Sequence, residues 1–301
     1  MTPLELARSL AERQGCAWQN VRVLQSTNAL VVFLASCSLV IKSGQWPDSD
    51  AGMLREHRIC RELHALGEPV PQPLGEPLVD QTTAMVATAW RYVDSIPLAE
   101  PSPAEIALAL RRLHEALQQT TTELPDYGHW FDLFAESLFD DAEMANLDAE
   151  DRDGLRRAYA SLRPRIEARP YAPMRLHGDP HTGNMVRTSA GLVILDLETV
   201  CVGPLEWDLA SLDSGVADNY GDRIDPELLR LLREMNRVRV ATWCFVKIQL
   251  PRNTNTAAAW STSWASTEPE RRLGRVDEYD GYRPTPAPIR VGSVLVFQRN
   301  V

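Results

Sequence analysis

Leu176-His-Gly-Asp-Pro-His-Thr-Gly-Asn-Met-Val186, followed by Val193-Ile-Leu-Asp-Leu-Glu198, gathers more chemistry than any other part of the chain. Asp179 and Asn184 stand five residues apart in a loop too rich in Gly and Pro to be a helix. Asp196 comes twelve residues after Asn184, at the end of the apolar strand Leu192 to Leu195. Thr188-Ser-Ala-Gly191 reads as a turn between two short strands, which lets Asn184 and Asp196 meet on one rim. An amide oxygen and a carboxylate converging there suit Mg²⁺, a hard cation that takes oxygen ligands and bridges phosphates. Asp179, with no ligand's task, is left to face a second substrate.

This is the division of labour of phosphoryl transfer in the pattern H-x-D-x-x-x-x-N followed by a metal-binding Asp. The chain resembles the aminoglycoside phosphotransferase and choline kinase family of kinase-like small-molecule kinases. His177-Gly-Asp179 with Asn184 resembles the family's catalytic loop, Asp196-Leu-Glu198 its metal segment, and Gly203-Pro-Leu-Glu-Trp-Asp-Leu-Ala210 the stretch that follows. In the N-terminal half, Val40-Ile-Lys42 resembles the lysine that grips nucleotide phosphates, Glu56 its ion-pair partner, and Trp90-Arg-Tyr-Val93 the hinge where backbone groups of Arg91 and Val93 hold adenine.

The resemblance covers roughly residues 18 to 250 and implies an α+β, bilobal protein-kinase-like fold, with an N-lobe of antiparallel sheet plus helix and a mainly helical C-lobe. It further implies ATP or GTP as donor, Mg²⁺ as cofactor, Asp179 as the catalytic base, and Asn184 and Asp196 as metal ligands. An aminoglycoside or other amine-bearing small molecule is the leading acceptor, as in antibiotic resistance. Two features depart from the family: the turn Gln25-Ser-Thr-Asn28 has no glycine, and about 50 residues follow the last long helix.

The residue pattern gives the order of the elements. Thr2, Pro3 and Glu5 open a helix with a capping box, running to about Gln14. Asn20–Gln25, Ala29–Ala35 and Ser38–Lys42 read as an antiparallel meander. A helix is predicted from about Asp50 to Leu66, with Met53, Ile59, Cys60, Leu63 and Leu66 on one stripe and Glu56 near its middle, so that this carboxylate faces protein. A strand over Ala84–Val93 leads into a linker with Pro97, Pro101 and Pro103. Ser102, Pro103 and Glu105 start a helix with the stripe Ile106, Leu110, Leu113 and Leu117, and Asp225-Pro226 opens a last helix to about Val246. The linker divides the chain into 1–97, 98–250 and a loosely attached tail 251–301 whose Val291–Phe297 reads as an edge strand; the resemblance implies that 1–97 is a nucleotide-binding lobe and 98–250 a catalytic and acceptor-binding lobe.

Composition narrows the partners. Over 301 residues, 44% hydrophobic and 24% charged residues are the mix of a globular protein. A net charge of -10 argues against a nucleic-acid partner and for a cationic small molecule. The longest apolar run, Ala29 to Ala35, is far short of the roughly 20 residues of a membrane span, and Glu5 sits where a signal peptide would be basic. Cys16, Cys37, Cys60, Cys201 and Cys244 form no C-x-x-C pair and read as reduced thiols of a cytoplasmic protein, monomer or homodimer.

Each site residue also has a plainer reading. His177 reads as a structural residue bonding the loop, His181 as incidental, and Asp208 as a buried hydrogen-bond hub. Glu198 is left between a second metal, the substrate and the loop. Between Phe131 and Asp153 stand nine acids against the single base Arg152, among them Asp140, Asp141 and Glu143. These make either a solvated helical face or an acidic lining for an amine-bearing acceptor. Two other functional classes remain: a metal-dependent hydrolase ligated by His177, Asp179, His181 and Asp196, and a non-catalytic kinase-like binding module.

Overall fold

The Thr2 hydroxyl accepts the Glu5 amide at 3.3 Å while Glu5 accepts the Thr2 amide at 2.7 Å, and Pro3 fills the first turn, so helix α1 (Pro3–Arg13) starts at its predicted capping box. The computed structural model describes residues 1–26, 29–44, 51–96, 100–221 and 223–246. The tail 251–301 with its expected edge strand, the linker's Pro97 and the turn positions Thr27 and Asn28 lie outside the described residues.

The meander forms as read: β1 (Val21–Ser26), β2 (Leu30–Leu34) and β3 (Leu39–Gly44). After α2 (Ala51–Ala65) come β4 (Pro73–Asp80) and β5 (Met85–Arg91), completing an antiparallel sheet in the order β1-β2-β3-β5-β4. The sequence reading missed β4, which contains Pro73, Gly75 and Pro77, residues that ordinarily interrupt a strand. They are tolerated because β4 is an edge strand with a register shift between Leu74 and Leu78. Leu66, expected on the buried stripe of α2, is 48% exposed: the helix ends at Ala65 and the chain turns away through Gly67 at φ +81°.

Every residue of β3 is buried, so the sheet is covered on both faces at this strand. Leu39 and Ile41 join Leu6, Ala7, Leu10 and Ala11 of α1 in one core. Alternation sends Val40 and Lys42 to the other face, where Ile59, Cys60 and Leu63 of α2 are fully buried. Each large apolar side chain so buried contributes about 1.5–3 kcal/mol. A charged residue thus points into the α2 side of a sheet core.

Beyond the sheet run α3 (Pro103–Leu117), α4 (Gly128–Phe139), α5 (Ala149–Glu167), the short strands β6 (Met174–Leu176), β7 (Met185–Thr188), β8 (Gly191–Ile194) and β9 (Cys201–Gly203), then α6 (Leu205–Leu209), α7 (Ser214–Tyr220) and α8 (Pro226–Val246). The class is α+β, as expected, with the antiparallel sheet first and helices after it. Residues 1–127 and 171–224 form one compact unit; 128–170 with the described chain from 225 on form another, in which α5 and α8 pack together. In the first unit the rings of Tyr127 and Tyr171 meet edge-to-face at 5.5 Å, so the chain leaves and re-enters that unit at one place.

Cys16 and Cys37, 21 residues apart, are joined by a disulfide between the exit of α1 and the turn before β3. This corrects the expectation of five thiols; Cys60 and Cys201 are free and buried, as thiols in apolar surroundings are. Pairing of Cys16 with Cys37 has no spacing signature. For a loop of this length the bridge contributes on the order of 3 kcal/mol. Alkylation of the denatured, oxidised chain is expected to spare Cys16 and Cys37 and to label Cys60 and Cys201. Labelling of all four, or a Cys37→Ser variant melting like the parent, would remove the bridge.

Candidate functional site

Lys42 is placed by β3, whose register sets it opposite Val31 on one side and Thr88 on the other. Its ammonium meets three carboxylates at once: Glu56 Oε2 at 3.0 Å, Asp196 Oδ1 at 2.8 Å and Glu198 Oε2 at 2.6 Å. All four groups are buried. The first two contacts are aligned hydrogen bonds; the Glu198 contact is a close ion pair whose Oε2 has no aligned donor. Burial opposes the charge of Lys42, but Asp196, Glu198 and Glu56 together outweigh it and hold its pKa well above the ordinary lysine value. One ammonium cannot balance three carboxylates. Burial, with neighbouring charge, pushes Asp196 up to about 6 and Glu198 up to about 7, and burial also raises Glu56.

The hairpin β7–β8 pairs Met185 with Ile194, and one step beyond it the Leu195 amide donates to the Asn184 carbonyl at 2.7 Å. Asn184 and Asp196 therefore emerge at the open end of the same hairpin. Asn184 Nδ2 donates to the Asp179 carbonyl at 3.0 Å, which leaves its buried Oδ1 as an acceptor with no hydrogen-bond partner. An orphaned amide oxygen is costly unless a cation or water meets it. The carboxylate oxygens of Glu56, Asp196 and Glu198 also lie within 4.8 Å of one another. This oxygen-only set fits a hard divalent cation.

The Asp179 main chain is fixed on both sides, its amide by His177 Nδ1 at 3.2 Å and its carbonyl by Asn184, while its side chain is 23% exposed. His181 Nε2 stands 3.8 Å from Asp179 Oδ2. His177 is fully buried, with Nε2 against the Leu195 carbonyl at 2.9 Å, and burial lowers its pKa. With both ring nitrogens engaged, His177 has none left for a metal, which removes one ligand from the hydrolase reading.

Asp208, on α6, accepts the His177 amide at 2.8 Å, the Gly178 amide at 2.7 Å and His114 Nε2 at 2.7 Å; His114 Nδ1 lies 2.7 Å from the Tyr220 hydroxyl. His114 and Tyr220 escaped the sequence reading. The signal for His114 was its place among the buried residues of α3, between Leu113 and Leu117. Arg55 was missed too: it is buried on α2 beside Glu56 and donates to the Glu198 carbonyl at 2.8 Å.

At the expected hinge, the Arg91 amide is bonded to the Gln72 carbonyl and the Tyr92 amide to the Ser38 carbonyl, each at 2.9 Å. The Tyr92 ring stacks on Phe33 with centroids 4.3 Å apart, and Val93 follows, half-buried. The expected acceptor acids lie in the other unit. Asp140 accepts the Ala142 and Glu143 amides, and Asp141 pairs with Arg156 at 2.9 Å, which holds its pKa below the usual value.

Two backbone positions hold the site in shape. Asp196 adopts φ +64°, ψ +58°, a left-handed conformation that costs a non-glycine residue roughly 1–2 kcal/mol. Gly178 has φ +92°, and a Cβ there would lie 2.0 Å from the Thr199 carbonyl oxygen. Gly178→Ala is expected to destabilise the protein by about 3 kcal/mol or to prevent folding, read by chemical denaturation; a neutral result would mean the loop is not packed this way. Asp196 and Glu198 bind protons more tightly folded than unfolded. Their contribution to stability is therefore full below their ordinary values near pH 4 and is lost as pH rises through 6 to 7. Metal-free protein melted between about pH 5 and pH 8 should lose Tm with rising pH, less steeply in Glu198→Gln. Identical slopes would contradict the charge balance.

Residues 20–241 match the sequence model of the phosphotransferase enzyme family. No curated protein matches the chain in sequence. Among solved structures the chain is similar to an amicoumacin kinase in complex with AMP-PNP, Ca²⁺ and its antibiotic, at 12% identity and TM-score 0.61, over 83% of this chain and 90% of that one. It is also similar to a choline/ethanolamine kinase family protein from Mesorhizobium loti, at 20% identity and TM-score 0.56, over 80% and 85% of the two chains. An aminoglycoside phosphotransferase from Streptomyces rimosus, in complex with ADP and streptomycin, shares 18% identity and TM-score 0.56 over 79% and 99%. These likenesses show the fold. No helix among the described residues is long and apolar enough to cross a membrane.

Proposed function

The chain belongs to the phosphotransferase enzyme family, and on that premise we propose that it transfers the γ-phosphoryl group of ATP or GTP to a hydroxyl of an amine-bearing small molecule, such as an aminoglycoside, with Mg²⁺ as cofactor. The observation that carries this reading is the orphaned Asn184 Oδ1 at the open end of the hairpin that also ends in Asp196, in a site where carboxylates outnumber ammonium three to one. Crystallised relatives of the same fold hold AMP-PNP or ADP together with an antibiotic, which supports a nucleotide donor and a small-molecule acceptor.

In this reading Asn184 and Asp196 would hold Mg²⁺, and Glu198 has a carboxylate oxygen within 4.8 Å of one on Asp196. A divalent ion held there would supply positive charge to the donor phosphates. Lys42, steered by Glu56, binds the phosphate oxygens, and the backbone at Val93 reads the base, since the Arg91 amide is engaged by Gln72. Asp179 receives the acceptor's hydroxyl proton as that oxygen bonds to the γ-phosphorus and the bond to the β-phosphate oxygen breaks, releasing the nucleoside diphosphate. Its carboxylate is half-buried on a main chain pinned at both ends, so the base is presented in a fixed place. Asp208, through the His177 and Gly178 amides, sets the loop's path.

A nucleotide-consumption screen over cationic and neutral acceptors, with and without Mg²⁺, tests this directly. Asp179→Asn should lower kcat by roughly 10²–10⁴-fold while leaving nucleotide binding unchanged. Wild-type turnover in that variant removes the assigned base. A response from neutral acceptors alone removes the cationic one.

A further inference from the structure

The left-handed backbone of Asp196 is held by four bonds to its flanking peptides. The Leu195 amide donates to the Asn184 carbonyl at 2.7 Å, and the Leu195 carbonyl faces His177 Nε2 at 2.9 Å. On the other side the Leu197 amide donates to Glu56 Oε1 at 3.1 Å, and the Glu198 carbonyl accepts from Arg55 Nη2 at 2.8 Å. The first pair of partners comes from the catalytic loop. The second comes from two consecutive residues of α2, one acid and one base, which grip an N–H and a C=O of the same turn.

Arg55 is an odd residue for that position. It is only 8% exposed, although an arginine on a helix ordinarily keeps its head in water. Its guanidinium cannot be deprotonated in a protein, so it adds a permanent positive charge beside a group with three carboxylates and one ammonium. Lys42 and Arg55 together still leave the group one positive charge short when all three acids are ionised.

We propose that Arg55 is a positioning residue for the phosphoryl-transfer site: with Glu56 it clamps the Leu197–Glu198 peptides and so keeps Asp196, in its left-handed conformation, aimed at the cation site. The inference rests on the phosphotransferase reading for its consequence in turnover, but the clamp itself is visible without activity. Arg55 touches neither nucleotide nor acceptor in this scheme, so its loss acts on the placement of Asp196. A misplacement on the order of 1 Å at such a group costs about 10²-fold in rate.

The test compares Arg55→Met and Arg55→Lys with the parent, using hydrogen–deuterium exchange of the peptide spanning Leu195 to Val200 together with steady-state kinetics. Arg55→Met should speed exchange in that peptide by about tenfold or more and lower kcat by about 10–100-fold, while the nucleotide KM moves less than about threefold. Arg55→Lys keeps a donor and a charge, so it should fall between, with kcat within about threefold to tenfold of the parent. Should Arg55→Met fail to fold, Arg55→Lys carries the test: parental exchange and parental kcat in it overturn the proposal. So does Arg55→Met with an unchanged turn, or with faster exchange spread over the whole chain rather than confined to this turn. If the parent itself consumes no nucleotide with any acceptor, the phosphotransferase reading falls, and the exchange measurement alone decides the clamp.

Discussion

A lysine ammonium enclosed by three carboxylates is the constraint around which the rest of this molecule is arranged. Lys42, Glu56, Asp196 and Glu198 come from a central strand, a helix and a turn 154 residues down the chain from the lysine. Desolvating such charges is expensive, and an ion pair offsets that expense only when its geometry is right and its charges match. Here the geometry is close and the charges do not match. An apolar cluster of the same volume would suit stability better. Arg55 brings part of the missing charge, which leaves the group one positive charge short when all three acids are ionised.

The loop from His177 to Asn184 is governed by its peptide groups more than by its side chains. Asp208 takes two consecutive amides, His177 takes a third, and Asn184 takes the Asp179 carbonyl. The short φ +92° step at Gly178 lets the loop lie against the Thr199 carbonyl. The path of the main chain is fixed this way, and the half-buried Asp179 carboxylate rides on it. Behind Asp208, His114 and Tyr220 extend the same network toward α3 and α7, so this buried carboxylate is met by two backbone amides and one ring nitrogen.

Much of this was legible in the sequence where a local rule applies. Capping residues gave the starts of α1 and α3, alternation gave the meander, and an acid on an apolar helical stripe marked Glu56 as facing protein. Long-range partners left no such trace. Nothing in the spacing shows that Lys42 meets Asp196 and Glu198 as well as Glu56, that Cys16 meets Cys37, or that an arginine next to Glu56 turns inward. His114 hid because a buried histidine keeps the helical period of its leucine neighbours. The strand β4 was lost for a different reason: its prolines and glycine signal a break, and only its position at the sheet edge makes them harmless. Leu66 shows the converse, since periodicity carried the stripe one residue past the end of the helix.

The contact between Tyr127 and Tyr171 has a consequence for how such a protein can change. The 43 residues from 128 to 170 depart and return through one pair of touching rings. A segment inserted between adjoining points imposes little closure penalty on its host, whatever its own length. Helices α4 and α5, which pack against α8, can therefore change in length at little entropic cost to the unit that carries Lys42 and Asp179.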